Sequence, residues 1–453
     1  SQIWAWSDDL FCVPGRGLEY GRGMTMSHFI DNQYEIPGRG IVGDAPWGVV
    51  DGWRRQKPEF WITKKLHSPV KVAEGAMTAP STGEPIRVEV ENQYDFTNLS
   101  ELRVTYAVGK EKGLAKVSVA PHSKGTLTVV PVNRIIAGDV LDLKFENSSG
   151  MLVDEYRLPI GKLKASKQTT QPAVLPSLKT RAIVTLAGNG LEIDGRDFEL
   201  QFDTDGGYLR KCVAHGIPTL LELPSLHVLP TESPQQPIPY RATWSSKSFK
   251  WVREREDVLV TITGSYPGFD GSYHISISPD GGMTVHSSFT YTGPERRARE
   301  IGLAFSVPRQ CDTVSWVRNA EWSVYPDDHI GRPVGSASAL AKHPDTVPPT
   351  WSWSLDNSPM GTNDFRSTKR NIQQGSISYP SGIGVSIESD GTQSLRAMVD
   401  TDRIDVNLSD WFGGSNVGWR EWTTNYGTGR VIRSGDLLTS TARLQLVRII
   451  GTL

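Results

Sequence analysis

The sequence predicts a mainly β chain with one short helix near residue 60. Three observations lead there. Short segments alternating apolar and polar residues recur from residue 86 to the C-terminal end. The 44 glycines and 29 prolines supply turns between those segments. A helix-start pattern is clear at Pro58, where proline is followed by Glu59 and, further on, by Lys64 and Lys65.

The first 67 residues are dense in Trp, Gly and Pro. Ile3-Trp4-Ala5-Trp6-Ser7-Asp8-Asp9 reads as a buried strand ending in polar residues. The stretch 13–48 has no clear periodicity and reads as a long Gly-rich loop. It contains neither GxxxxGK[ST] nor GxGxxG after a strand, so it is a poor phosphate cradle. Val49-Val50 stops at the turn pair Asp51-Gly52, and the helix follows.

Residues 68–163 contain Ile86-Arg87-Val88-Glu89-Val90, Leu102-Arg103-Val104-Thr105-Tyr106 and Val140-Leu141-Asp142-Leu143-Lys144-Phe145, all with period two. Turn residues separate these runs, the pattern of an immunoglobulin- or fibronectin-like β-sandwich of roughly 100 residues. Residues 164–182 are polar, proline-containing and free of aromatics, as a linker would be. Residues 183–453 are one long β region. Phe198-Glu199-Leu200-Gln201-Phe202 and Val258-Leu259-Val260-Thr261-Ile262 are clear strands, and Asp205-Gly206-Gly207 and Pro279-Asp280-Gly281-Gly282 are hairpin turns. So many strands with little helix imply a large two-sheet sandwich.

Composition narrows the function classes. Net charge is −2 and no long basic block occurs, which argues against nucleic acid as the main partner. No apolar run approaches the roughly 18 residues that span a membrane. Cys12, Cys212 and Cys311 are far apart and form no CxxC pair, so neither a metal site nor a disulfide framework is expected. No cofactor motif is present. The 14 tryptophans suit sugar-binding surfaces, where an aromatic face packs on a pyranose ring. The chain opens on Ser1-Gln2-Ile3-Trp4, without an initiator Met or a signal-peptide pattern, and reads as part of a longer polypeptide.

Several segments, in order, resemble the C-terminal half of family 2 glycoside hydrolases of the β-galactosidase type. Ile3-Trp4-Ala5-Trp6-Ser7-Asp8 is similar to the family's WDWxDQ strand near the end of its (β/α)₈ barrel. Gly48-Val49-Val50-Asp51, Arg54-Arg55-Gln56-Lys57-Pro58-Glu59 and Lys64-Lys65 resemble the barrel exit. Glu91-Asn92-Gln93-Tyr94-Asp95-Phe96-Thr97-Asn98-Leu99 is similar to the N(R/K)YDFTNL signature of the small sandwich that follows. Residues 191–207 look like the start of a galactose-mutarotase-like supersandwich. Glu321, Tyr325-Pro326-Asp327 and Asn363-Asp364-Phe365-Arg366 resemble its weaker motifs. The resemblance implies a barrel remnant over 1–67, a small sandwich over 68–163 and a supersandwich over 183–453. The chain departs from the family at Ala5, at Trp47 and at Arg318-Asn319, which bears on galactose specificity and on a sodium site.

Retaining hydrolysis needs two carboxyls about 5–5.5 Å apart. In the family both are glutamates on barrel strands upstream of the Trp4 strand, so no catalytic residue is assigned within the chain. The N-terminal part of the same enzyme is the implied partner and a carbohydrate the implied substrate. By resemblance Trp4 floors the −1 sugar subsite, with a barrel-core role as the competing reading. Trp47 is a second subsite candidate. Asp8 is a candidate substrate-binding carboxylate, with loop capping as the alternative. Trp411 or Trp419 is a candidate for a loop reaching the barrel mouth, with sandwich packing as the alternative. Trp53, Arg54, Arg55, Lys57 and Glu59 are read as structural, fixing the junction. Oligomeric state stays open, a homo-oligomer being one possibility. Two other function classes are carried. One is a non-catalytic carbohydrate-binding or assembly module. The other is a sandwich-based sugar lyase or epimerase, for which His274 and His286 are the candidate histidines.

Overall fold

The computed structural model describes residues 5–8, 10–14, 39–43, 48–51, 54–73, 77–81, 83–161, 182–231, 237–319, 325–326, 328–340, 360–413 and 429–448. The chain is mainly β and forms two compact units. Unit 1 comprises 1–11, 43–171 and 320–332; unit 2 comprises 12–42, 172–319 and 333–453. Strands β1 (Leu10–Pro14) and β2 (Arg39–Gly43) pair with each other.

In unit 1 the expected helix is present as α1, Pro58–His67, with proline in its first turn, Glu59 beside it and Lys64, Lys65 and His67 at its end. Negative charge at the start and positive charge at the end both complement the helix dipole. Seven strands follow: β3 (Val70–Val72), β4 (Ile86–Asn92), β5 (Arg103–Val108), β6 (Glu111–Leu114), β7 (Ser123–Val129), β8 (Val140–Glu146) and β9 (Leu152–Pro159). They make a β3-β4-β7 sheet and a β6-β5-β8-β9 sheet. The alternation of β4 is realised as buried Ile86, Val88, Val90 against exposed Arg87 and Glu89. Those residues share one core with Leu127, Leu143, Phe145 and Tyr156 from the other strands.

Charge ties α1 to this sandwich. Lys65 Nζ lies 2.9 Å from Asp154 Oδ1, donates to Glu155 O at 2.7 Å and sits 3.4 Å from the centre of the Tyr156 ring. Lys71 Nζ donates to the carbonyls of Lys65 and Leu66, so the helix end is capped by the strand that follows. Just before the Tyr94–Leu99 segment, Asn92 at the end of β4 is fully buried. It donates to Thr97 O and Val119 O and accepts from the Tyr94 N–H. Asn98 and Glu101 close a capping box. The asparagines of this stretch are therefore spent on its backbone.

Two larger sheets of unit 2 follow residue 182. Strands β10 (Ile183–Ala187), β11 (Gly190–Asp194), β12 (Phe198–Asp203), β13 (Tyr208–Ala214) and β14 (Ile217–Pro218) form an antiparallel meander in chain order. The second sheet has 13 strands among the described residues. They are β15 (Glu222–Pro230), β16 (Ser245–Glu254), β17 (Asp257–Tyr266), β18 (Phe269–Ile277), β19 (Gly282–Tyr291), β20 (Arg296–Pro308), β21 (Thr313–Arg318), β22 (Val334–Ser338), β23 (Lys369–Ser378), β24 (Ile383–Val399), β25 (Arg403–Phe412), β26 (Arg430–Ile432) and β27 (Leu437–Arg448). The main path runs β15-β20-β25-β24-β27-β19-β18-β17-β16. The two predicted hairpin turns join β12 to β13 and β18 to β19.

The large sheet curls on itself. The Leu226 N–H of β15 donates to the Tyr273 hydroxyl of β18 at 2.9 Å, although five strands separate the two along the path. One apolar core joins the meander, through Leu191, Ile193 and Phe202, to the large sheet, through Val260, Phe305 and Trp316. A short helix, α2 (Asn363–Arg366), is capped at its start by the Thr362 hydroxyl. Buried Lys369 donates to the carbonyls of Asp364 and Phe365 at its end and lies over the Trp316 ring. The residues 164–181 read as a linker lie outside the described residues.

Candidate functional site

The polar residues that the core does not use gather on one face of unit 2. Opposed residues of antiparallel strands share a face. In β20, Ile301, Leu303, Phe305 and Val307 point into the apolar core, so Glu300, Gly302, Ala304 and Ser306 belong to the other face. Strand register carries that face across the sheet. Ser306 pairs with Glu222 on one side and Asp405 on the other, and Asp405 pairs with Met398. Ala304 pairs with Ser225 and Asn407, and Asn407 with Arg396. Gly302 pairs with His227. A bulge in β15 between Glu222 and Ser225 restores the parity that puts both Glu222 and His227 on this face.

Of these, Glu222, His227, Ala304, Arg396, Met398, Asp405 and Asn407 line a cleft of about 580 Å³, and Glu300 and Ser306 are hydrogen-bonded to its lining. Its roof is the segment 237–242. Ile238 exchanges backbone hydrogen bonds of 2.7 and 2.8 Å with Val228, which covers the free edge of β15. Pro237, Pro239, Tyr240 and Arg241 thereby overhang the strands, and Met360 and Met398 add apolar surface.

Two ionic groups stand in the cleft. In the first, Glu300 is buried and takes Arg396 Nη2 at 2.6 Å on one oxygen and 2.7 Å on the other. It also receives His227 Nε2 at 3.1 Å and Asn407 Nδ2 at 3.4 Å. Burial works to raise its carboxyl, but the Arg396 charge and the His227 hydrogen bond outweigh it and hold the group down at about 2. An ionised Glu300 can only accept in this contact, so His227 Nε2–H donates to it and the ring is held in one orientation. In the second group, Glu222 pairs with Arg241, whose Nη1 also donates to Ser306 Oγ at 2.7 Å. The Ser306 hydroxyl lies 3.1 Å from Glu222 and 2.6 Å from Asp405 and donates to one of them at a time. Arg403 lies 3.3 Å from Asp405 and 3.8 Å from Glu222. Burial would raise Glu222, but Arg241 and then Arg403 bring it below the usual carboxylate value. The whole is a set of fixed donors and acceptors suited to hydrogen-bonding a small polar ligand, with one imidazole oriented by a carboxylate.

Trp4, Trp47, Trp53 and Trp419 lie outside the described residues. Asp8, in unit 1, is 1% exposed. Its Oδ1 takes the Lys57 ammonium at 2.9 Å and the Gly48 N–H at 2.9 Å, and Lys57 also donates to Gly48 O at 2.7 Å. Asp8 thus joins the segments 5–8 and 48–57 through these contacts. Gly48 admits no side chain, since a Cβ there would come within 2.1 Å of the Ser7 backbone. Arg55 pairs with Asp51 at 2.6 Å. Trp411 lies on β25, paired with Ile301, half-buried against the core of unit 2, and its Nε1 has no hydrogen-bond partner among the described residues. Its neighbour Asp410 is raised by burial while accepting from Ser440 and Gln393. Tyr325 stacks on His329, which caps Gly331 N–H. His274 and His286 face each other across β18 and β19 on an exposed surface, and among the described residues their hydrogen-bond partners are Ser and Thr hydroxyls. The histidine that has a carboxylate partner in a cleft is His227.

The cleft residues were missed from sequence, although their signal is present. Glu300, Gly302, Ala304 and Ser306 alternate with a strictly apolar set, and so do Asp405, Asn407 and Ser409. Alternation of this kind normally marks a solvent-facing side.

No family model matches the chain, and no curated protein matches it. Solved structures do. A protein described as an aldose 1-epimerase, from Escherichia coli K12, is 13% identical over 58% of this chain and 98% of its own, with a TM-score of 0.31. An alpha-mannosidase from Enterococcus faecalis V583 is 11% identical over 83% of this chain and 42% of its own, at 0.35. A glycoside hydrolase family 97 enzyme from Pseudoalteromonas sp. strain K8 is 9% identical over 59% of this chain and 34% of its own, at 0.28. This chain thus spans less than half the length of either hydrolase. At these scores the likenesses carry no argument about activity; what they have in common is that the proteins concerned are carbohydrate-active by description.

Proposed function

We propose that the chain is the C-terminal portion of a retaining β-glycosidase of the β-galactosidase type, whose catalytic glutamates lie upstream. One observation carries the proposal. In unit 1 the segments 5–8 and 48–51 pair in parallel, through Ser7 and Val50. The bonds are Val49 N–H to Ala5 O, Val50 N–H to Trp6 O and Asp8 N–H to Val50 O. Parallel neighbours require a crossover connection, and a parallel strand followed by a helix is the repeating unit of a (β/α)₈ barrel. Here the second segment leads into α1, and α1 leads directly into the small sandwich. The order of elements agrees with the order of the motifs that resemble family 2.

On this reading Trp4 and Trp47 face the substrate and the Asp8–Lys57 pair holds the last two barrel strands together. The whole enzyme is the test object. A 2-deoxy-2-fluoro-β-galactoside with a good leaving group traps the nucleophile of a retaining enzyme as a glycosyl ester. Peptide mapping is expected to find the label upstream of Ser1. A label within residues 1–453 would overturn the proposal.

A further inference from the structure

We infer that the cleft of unit 2 is a second carbohydrate site, one that takes an uncharged, pyranose-sized, polyhydroxylated ligand. The inference rests on the cleft alone and not on the barrel reading, which concerns other residues. Its volume of about 580 Å³ falls within the roughly 300–1,000 Å³ of small-molecule sites. Charge selects against ions. The three guanidiniums that line it, Arg241, Arg396 and Arg403, each have a carboxylate within 4 Å, and those carboxylates are Glu222, Glu300 and Asp405. Three positive groups against three negative ones leave no net charge to attract an anion or a cation.

Mutual pairing nevertheless leaves hydrogen-bonding capacity. A guanidinium has five N–H donors and a carboxylate about four acceptor sites, and each pair uses only part of both. Donors and acceptors side by side match vicinal hydroxyls, each of which both donates and accepts. His227, in the cleft lining and held by Glu300 through Nε2, adds one more polar ring to the wall. Tyr240, 55% exposed on the roof, and Met360 offer apolar surface to ring C–H groups. An inorganic anion would meet a carboxylate beside every arginine; a nonpolar ligand would strand the charged groups without hydrogen bonds.

Saturation-transfer NMR on the 453-residue chain tests this, with the methyl β-glycosides of galactose, glucose and mannose as probes and inorganic sulfate as the anionic comparison. At least one glycoside is expected to give saturable signals that sulfate does not displace. Tyr240→Ala, at an exposed position, and Asp405→Asn, of unchanged shape, are each expected to weaken that binding roughly tenfold. Asp405→Asn also leaves one guanidinium uncompensated, so sulfate is expected to become a competitor in that variant. Silence from all three glycosides, displacement by sulfate in the unaltered chain, or binding that neither substitution changes would each overturn the inference. The trapping experiment above is read from peptides upstream of Ser1, so either proposal fails independently of the other.

Discussion

Arg396→Met is expected to destabilise unit 2 by about 3–5 kcal/mol, the cost of leaving one member of a buried ion pair alone. Arg396 and Glu300 side chains are 6% and 2% exposed. Without the guanidinium, Glu300 keeps its burial and loses the largest influence holding its charge in place. Hydrogen exchange at the slowest amides of β20 and β24 measures the loss. The double variant Arg396→Met/Glu300→Met is expected to recover much of it, because two apolar groups of similar volume need no partner. An additive double variant would mean that the residues do not act as a pair.

The same pair makes stability depend on acid. The Glu300 value of about 2 lies below the ordinary 4.5, so between those values the unfolded chain binds a proton that the folded chain does not. The stabilisation is therefore complete above pH 4.5 and is lost as pH falls toward 2, amounting to roughly 3 kcal/mol. In Arg396→Met burial is no longer offset by the guanidinium, so the Glu300 value rises and the variant loses less stability on acidification than the wild type. The gap between variant and wild type is expected to narrow from pH 7 to pH 4. A widening gap would contradict the assignment.

Lys57→Met is expected to cost unit 1 a similar amount, about 3–5 kcal/mol. Asp8 Oδ1 would keep the Gly48 N–H and lose the ammonium, while Gly48 O loses its donor as well. The effect concentrates where the segments 5–8 and 48–51 pair. Exchange at the Asp8 and Val50 amides should accelerate more than at the amides of β8, which belong to the small sandwich. Uniform acceleration across unit 1 would show that the pair stabilises the unit as a whole and not this parallel seam.

Periodicity and turn chemistry made much of the fold legible. The helix at Pro58, the alternating strands of both β regions and the Asp-Gly-Gly hairpins needed only local rules. The Arg55 and Lys57 side chains, read as structural from their place near the helix start, do make ion pairs. The cleft was not legible for a physical reason. Glu300 lies 96 residues from Arg396 and 107 from Asn407 in the chain, and only strand order places them side by side. Within each strand they look like one polar side. A long-range fold-back and the roof at 237–242 convert that side into a buried one. His227 carried no cue either, because its carboxylate partner is 73 residues away. His274 and His286 were correctly read as lying on neighbouring strands, but strand adjacency says nothing about which face is enclosed.

The most direct measurement is hydrolysis of nitrophenyl β-galactoside by the pure 453-residue chain, compared with the same chain joined to its upstream part. The chain alone should show no turnover, and the joined enzyme should release nitrophenol with retention at the anomeric carbon. Turnover by the chain alone would contradict the assignment of catalysis to residues upstream of Ser1.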